Sequence, residues 1–203
     1  AEAAYDLQAA IDAADPLDVV FVSNGVYAAG GRVHGGALTN RATIALPIRV
    51  EAVNGPLSAA IEGAGPVGDA AIRGVYLGTN AALVGFTVRN SPAWNIHPIL
   101  CEHVDALCLS IEGPKNSHNT DGFDPESCGF VRILGCQFSV GDDCIAIKSG
   151  KLGIEPELRP ATHDVLISHC YMHDGHGAVV LGSEAAGGIK DLTVSKCLFE
   201  RTD

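Results

Sequence analysis

The sequence is poor in charged residues and has no long apolar run. Charged residues make up 18% of its 203 positions, below the roughly 25% of an average globular protein. The formal net charge of −11 excludes a basic nucleic-acid-binding protein. No stretch reaches the roughly 18 apolar residues that a membrane helix needs. We therefore expect neither a nucleic-acid partner nor a membrane partner.

Cysteine is missing from the first hundred residues, and the CxxC spacing is missing throughout. The seven cysteines occupy positions 101, 108, 128, 136, 144, 170 and 197. A structural zinc site needs closely spaced Cys and His ligands, which this sequence does not supply. We expect no metal site, no cofactor, and thiols that pack in the core instead of forming a disulfide framework.

Internal repeats organise the chain. Residues 131–138, 165–172 and 192–199 superpose without gaps, and each alternates apolar and polar residues as a half-buried strand does. Looser copies start at Leu83 and Val104. Strand units that recur every twenty-odd residues are typical of a solenoid of β-strands. The cysteines at 136, 170 and 197 share one repeat position and are expected to stack inside the solenoid.

A second set of segments aligns in the same coils, at residues 120–127, 142–149 and 176–183. Each segment predicts a short strand that ends in Ser and follows a corner rich in Gly and Asp. Neighbouring parallel strands lie about 4.8 Å apart. The three corners are therefore expected to lie side by side on the surface of the solenoid.

These corners bring together Asp121, Asp142, Asp143 and His176, on one outer patch of roughly 10 Å. Like charges that close raise the pKa of one another's carboxyl groups. A protonated carboxyl beside an ionised one is the equipment of glycoside hydrolysis. Strict strand alternation would bury one of the paired aspartates, and we expect Gly141 to let both turn outward.

The N-terminal third predicts the same architecture with a helical cap. Residues 6–14 indicate a short helix with Asp6 as N-cap and with Leu7 and Ile11 on one face. Pro16 ends it. Such a helix would cover the open end of the solenoid, where unpaired strand edges invite aggregation. Further strand-like runs cover residues 18–22, 44–53 and 71–77.

Four motifs occur in order in the second half of the chain: Asn119-Thr-Asp-Gly122, Gly141-Asp-Asp-Cys144, Lys148-Ser-Gly150 and Gly175-His-Gly177. Together they resemble the hallmark motifs of the polygalacturonases, glycoside hydrolase family 28. The resemblance covers about residues 85–203. It implies an all-β, right-handed parallel β-helix of the pectin-lyase-like type. It also implies inverting hydrolysis of α-1,4-galacturonosyl bonds in pectin, with polygalacturonate as partner, by a secreted or periplasmic enzyme.

The resemblance also implies roles for individual residues. Asp142 would be the general acid that protonates the leaving oxygen, Asp121 and Asp143 would activate the water, and His176 would maintain the protonation of the acid. Three further residues would bind substrate: Asn119, Lys148 and His118.

Two departures from the family pattern modify these expectations. The family's Arg-Ile-Lys motif, which grips the substrate carboxylate, has no counterpart at the aligned corner, Thr202-Asp203. We therefore expect impaired activity and self-association through an uncapped C-terminal end. Lys148, expected to point outward, is the best replacement cation.

The second departure concerns the first 84 residues, which resemble another right-handed β-helix repeat family. We therefore expect residues 1–203 to form one domain of chimeric origin, natural or engineered. Residues 85–203 are expected to carry the catalytic coils.

Two other functions remain open. A calcium-dependent pectate lyase on the same fold could bind Ca²⁺ through Asp121, Asp124, Asp142 and Asp143. The sequence disfavours it, because no arginine occupies the acidic corner as base. The third hypothesis is a non-catalytic scaffold or glycan binder.

Overall fold

The computed structural model describes residues 6–34, 38–65, 67–68 and 70–202. Its strands are short and are arranged in three faces. The first face is a seven-stranded parallel sheet, in the spatial order β1 (Val19–Val22), β5 (Arg49–Ala52), β8 (Ala82–Val84), β10 (Glu102–Leu107), β12 (Gly129–Leu134), β15 (Thr162–Ser168) and β18 (Ile189–Ser195). The second is a parallel sheet of β2 (Gly25–Tyr27), β6 (Ala59–Glu62), β9 (Thr87–Arg89), β11 (Ser110–Glu112), β13 (Gln137–Ser139), β16 (Tyr171–Gly175) and β19 (Leu198–Thr202).

The third face is less regular. It contains β3 (Arg32–Val33), β4 (Thr39–Ile44) and β7 (Ile72–Leu77), followed by β14 (Ile145–Ile147) and β17 (Val179–Leu181). Single parallel bridges at Ile96 and Phe123 connect β7 to β14. Each full coil visits the first, second and third face in turn, so the chain is a right-handed parallel β-helix, as expected.

The strand register confirms the alignment of the repeats. Val131 pairs with Val165, which pairs with Leu192 in the next coil. The alternation of β12 buries residues 129, 131 and 133 and turns the residues between them outward. The first of the looser copies is placed differently from the prediction, because Leu83 pairs with Ala106 and not with Val104.

Cys136, Cys170 and Cys197 stack inside the solenoid as predicted, and all seven cysteines are free thiols. Cys108 is exposed, so the expectation that the thiols pack in the core is wrong for this residue. Cys136 and Cys170 are buried, and Cys197 is half-buried. Each thiol donates towards a carbonyl of the preceding coil, with 3.4 Å from Cys136 Sγ to Ala106 O and 3.5 Å from Cys170 Sγ to Ile133 O. These cysteines therefore fill core volume and link neighbouring coils through weak hydrogen bonds.

The N-terminal helix caps the solenoid as expected. Helix α1 (Leu7–Asp12) begins after Asp6, whose carboxylate accepts a hydrogen bond from Gln8 N at 2.8 Å. Leu7 and Ile11 pack into the core. The Gln8 side chain pairs with the backbone of Thr43 in β4, at 2.7 and 3.1 Å, and so satisfies groups that would otherwise be unpaired. The described part of the chain holds no helix long and apolar enough to cross a membrane.

Candidate active site

The acidic corners lie where the chain enters the third face. Phe123 pairs with Ile145, and Ile145 pairs with Val179, in parallel register. This pairing aligns Asp121 with Asp143, and it places Asp142 beside His176. The register that the sequence alignment predicted is therefore the register of the structure.

Asp142, Asp143 and His176 form a compact group at the surface, with one ligand atom of each within 4.8 Å of the others. His176 Nδ1 lies 3.7 Å from Asp142 Oδ1, and the His176 side chain is 71% exposed. Two backbone N–H groups hold the Asp142 carboxylate, from Asn119 at 2.8 Å and from Asp143 at 3.1 Å. Asn119 thus positions Asp142 through its backbone, while His118 lies exposed in the same loop.

Gly141 is required at this corner because of close packing. A Cβ atom there would lie 2.3 Å from Pro114 O and 2.4 Å from Ser117 O. Thr120 braces the same contact, since its hydroxyl accepts from Gly141 N at 3.2 Å and donates to Ser117 O at 2.9 Å. We expected Gly141 to be needed for an unusual backbone conformation, but its backbone is not in the left-handed region. The loop before the corner therefore packs directly onto it.

Asp121 lies beneath the group, not on the surface with it. It is 4% exposed, and its Oδ1 has no hydrogen-bond partner among the described residues. Burial, and then the charge of Asp142, raise the pKa of Asp121 to about 6. The same two causes raise the pKa of Asp143. The outer patch thus consists of three side chains with a fourth, proton-accepting carboxylate below them.

A further carboxyl group, that of Asp124, is completely buried next to Asp121. Burial and the neighbouring charge of Asp121 raise the pKa of Asp124 well above its usual range. Neither oxygen of Asp124 receives a hydrogen bond within the described chain. Because the charge of Asp121 acts on Asp124, the two carboxyl groups do not titrate independently.

Lys148 does not point into solvent, and this expectation was wrong. Its side chain is 5% exposed, with Nζ 3.0 Å from Glu184 Oε2, 3.2 Å from Gly182 O and 3.8 Å from Asp124 Oδ2. Nζ also lies 4.8 Å from the ring centre of Trp94. Burial lowers the pKa of Lys148, but the charges of Asp124 and Glu184 outweigh it and the net shift is upward. Lys148 is therefore the internal counter-charge of the buried carboxyl groups.

The sequence reasoning missed a buried chain of polar side chains that crosses three successive coils. Arg73 Nη1 lies 3.3 Å from His97 Nδ1, and His97 Nε2 lies 2.9 Å from Glu126 Oε2. An arginine can only donate, so His97 accepts at Nδ1 and donates from Nε2 to Glu126. Burial lowers the pKa of His97, which agrees with a neutral ring. Extending the second alignment upstream to Ile96 and Val75 would have placed Arg73 in the same row as Asp121.

Of the described residues, Asp142, Asp143 and His176 are the ones whose spacing could suit a divalent cation. The calcium set of the lyase hypothesis is only partly supported. It shares two carboxylates with this group, whereas Asp121 and Asp124 are buried beneath it. Calcium takes six to eight oxygen ligands, so this group alone does not make a calcium site.

Comparisons with known proteins identify the family that the chain resembles. The model of the family "Glycosyl hydrolases family 28" matches residues 68–203, starting 17 residues before the resemblance noted from the motifs. A probable polygalacturonase of Vitis vinifera is 39% identical over 109 residues, covering 52% of this chain and 22% of that protein. A probable polygalacturonase of Arabidopsis thaliana is 35% identical over 127 residues, covering 61% of this chain and 25% of that protein.

The solved structure of the family 28 exopolygalacturonase of Yersinia enterocolitica superposes with a TM-score of 0.71 at 18% identity. The superposition covers 96% of this chain and 51% of that one, so the N-terminal third shares the β-helix fold. The chain spans about a quarter of the length of the two plant proteins.

Proposed function

The chain belongs to glycosyl hydrolases family 28, and from this premise we propose that it is a polygalacturonase-like enzyme, an inverting hydrolase of α-1,4-galacturonosyl bonds in pectin. One observation carries the proposal, the grouping of Asp142, Asp143 and His176 within 4.8 Å above the buried Asp121. Hydrolysis with inversion needs one carboxylic acid and one carboxylate that activates water. The corner offers both in adjacent coils.

We assign the acid to Asp142 and the base to Asp121 together with Asp143. Asp142 is held by two backbone N–H groups and faces His176, so its carboxyl is fixed where a sugar oxygen can approach. When substrate covers the patch and excludes water, three ionised carboxylates side by side become unfavourable, and one of them takes up a proton. His176, which is exposed beside Asp142, helps to maintain that proton. We keep Asn119 and His118 as substrate-binding residues, Asn119 through its side chain. Lys148 was expected to bind substrate as well, but it is buried against Glu184, and we assign it a structural role instead.

The test is release of reducing ends from polygalacturonate, measured in parallel with ultraviolet absorbance and with and without chelator. Reducing ends without new absorbance, unchanged by chelator, support the hydrolase. Ultraviolet-absorbing unsaturated product that disappears with chelator would instead establish the calcium-dependent lyase. If the folded protein forms neither product, both enzyme hypotheses fail and the scaffold or glycan-binder hypothesis remains.

Hydrolytic activity is expected to fall as the pH is lowered through about 6, the pKa of Asp121. Burial and the charge of Asp142 raise the pKa of Asp121 to that value, and a carboxylate acts as base only when it is ionised. Activity is therefore present above this pH and falls about tenfold per unit below it. Because the charge of Asp143 also raises the pKa of Asp121, the acidic limb of the profile belongs to both groups. The measurement is kcat/KM against pH, and a limb near the ordinary aspartate value of ~3.9 would contradict a buried base.

A polymeric cell-wall substrate places the enzyme outside the cytoplasm, secreted or periplasmic, which fractionation of producing cells checks.

A further inference from the structure

The first sheet carries a row of unpaired residues that interrupts its ladder. Where β10 pairs with β12, Glu102 pairs with Gly129 and Val104 pairs with Val131, so that one residue in each strand is left without a partner. The same interruption recurs in the next two coils. The skipped residues share a left-handed backbone, with φ between 52° and 57°: His103, Phe130, Asp164 and Asp191.

Phe130 is the exception in this row. Aspartate and asparagine tolerate the left-handed region, and histidine to a lesser degree, whereas for a bulky residue it is an outlier. Asp164 and Asp191 are therefore what the backbone favours at this position. The Phe130 side chain is also 45% exposed, so it adds little to the core. Neither backbone preference nor core packing explains a phenylalanine here, and strained positions of this kind cluster at functional sites.

Phe130 forms one wall of a hollow of about 410 Å³ on the outer surface of the first sheet. We call this hollow the Phe130 pocket; its lining residues are His103, Asp105, Phe130, Arg132, Asp164 and Leu166. The Phe130 ring stacks on His103, with ring centres 4.8 Å apart, and meets His163 edge-on at 5.5 Å. The volume lies within the range of small-ligand sites.

The polar groups of the pocket offer both donors and acceptors. Arg132 donates from Nε to Asp105 Oδ1 at 2.6 Å and from Nη2 to the other oxygen. Its Nη1 donates to no residue in the described part of the chain, and the side chain is 56% exposed. The carboxylates of Asp105 and Asp164 have remaining acceptor capacity. Aromatic surface with a few such polar groups suits a sugar ring, which presents C–H faces and hydroxyls.

Charge decides between sugar classes. One arginine and two aspartates give the pocket a formal charge of −1 with His103 neutral, on a chain whose net charge is −11. A free uronate would meet repulsion there, whereas an uncharged ring would not. We propose that the Phe130 pocket binds an uncharged pyranose ring of a pectic polysaccharide, away from the catalytic corner. Methyl-esterified galacturonate and neutral galactose both supply this chemistry.

The identity of the polymer rests on the proposed function, but the binding is tested separately. The probe is native electrophoresis through gels containing highly methyl-esterified pectin, neutral galactan or polygalacturonate. All proteins carry Asp142→Asn so that the polymer stays intact. The variant is Phe130→Asn, which removes the ring and suits the left-handed backbone. The matched control is Phe21→Asn, which removes another exposed ring of the same sheet, 68% exposed in β1.

We expect retardation by esterified pectin or by galactan, with Phe130→Asn raising the dissociation constant at least about tenfold, equivalent to about 1.4 kcal/mol. Phe21→Asn should leave it within about twofold, and the thermal midpoint of Phe130→Asn should show that it is folded. Equal retardation of the two variants, no retardation by either uncharged polymer, or retardation by polygalacturonate alone would overturn the proposal. Retardation of the Asp142→Asn protein, combined with no release of reducing ends by the folded chain that retains Asp142, would sink the hydrolase function and leave this inference standing.

Discussion

Replacing Asp142 with asparagine is expected to lower the release of reducing ends from polygalacturonate by about 10³-fold. Asparagine has the same shape, and its carbonyl oxygen can still accept a hydrogen bond from Asn119 N or Asp143 N, so the corner should keep its structure. What it lacks is a proton to give to the leaving oxygen. General acid catalysis contributes about 10²–10⁴ in rate, which sets the size of the expected loss.

The measurement is the initial rate of reducing-end formation, with thermal unfolding to show that the variant is folded. Asp191→Asn is the matched control, because it makes the same chemical change at an exposed position of the first sheet. Its rate should equal that of the unmodified chain. A folded Asp142→Asn protein that keeps more than about a tenth of the rate would remove Asp142 from the role of acid.

The arrangement of the coils could be predicted from the sequence because a parallel solenoid repeats one pairing rule. Each coil contacts only its neighbours, so a gapless alignment of repeats is also a prediction of register. Val131, Val165 and Leu192 follow this rule, as do Phe123, Ile145 and Val179. The alignment was wrong at Leu83, which pairs with Ala106 and not with Val104. The two residues lie two positions apart on the same face of β10, so the apolar pattern fits either pairing.

Burial at the site could not be predicted in the same way. Alternation assigns a side chain to one face of a strand, but it does not say what covers that face. Lys148 follows the core residue Ile147 and is expected on the outer face, yet the neighbouring side chains of Trp94 and Glu184 cover it. Glu184 comes from the next coil, and its contact with Lys148 spans 36 positions of sequence.

The polar chain from Arg73 to Glu126 was missed for a related reason. Its members belong to three coils that lack a shared motif, and each alone looks like an ordinary surface residue. Only the bridges from Val75 to Ile96 and Phe123 place them next to the acidic corner at Asp121. Buried polar groups of this kind are satisfied by one another, so none can be recognised without its partners.

Replacing Lys148 with methionine is expected to destabilise the fold by about 3 kcal/mol or more. The ammonium is the buried cation closest to Asp124 and Glu184, at 3.8 and 3.0 Å. Removing one partner of a buried ion pair leaves the other charge uncompensated, which typically costs 3–5 kcal/mol. Denaturant unfolding measures the loss. Lys190→Met, at an exposed position, should change the free energy of unfolding by less than about 0.5 kcal/mol.

A double-mutant cycle separates the two roles that Lys148 can have. If Lys148 balances the buried carboxyl groups, adding Asp124→Asn to Lys148→Met should recover part of the lost stability, because the two sites are coupled. The acidic limb of the rate profile should also move to higher pH, since the charge of Lys148 lowers the pKa of Asp121. If Lys148 instead grips a substrate carboxylate, Lys148→Met should raise KM with stability unchanged. That grip would require Lys148 to exchange Glu184 for the substrate, and the present contacts favour the structural role.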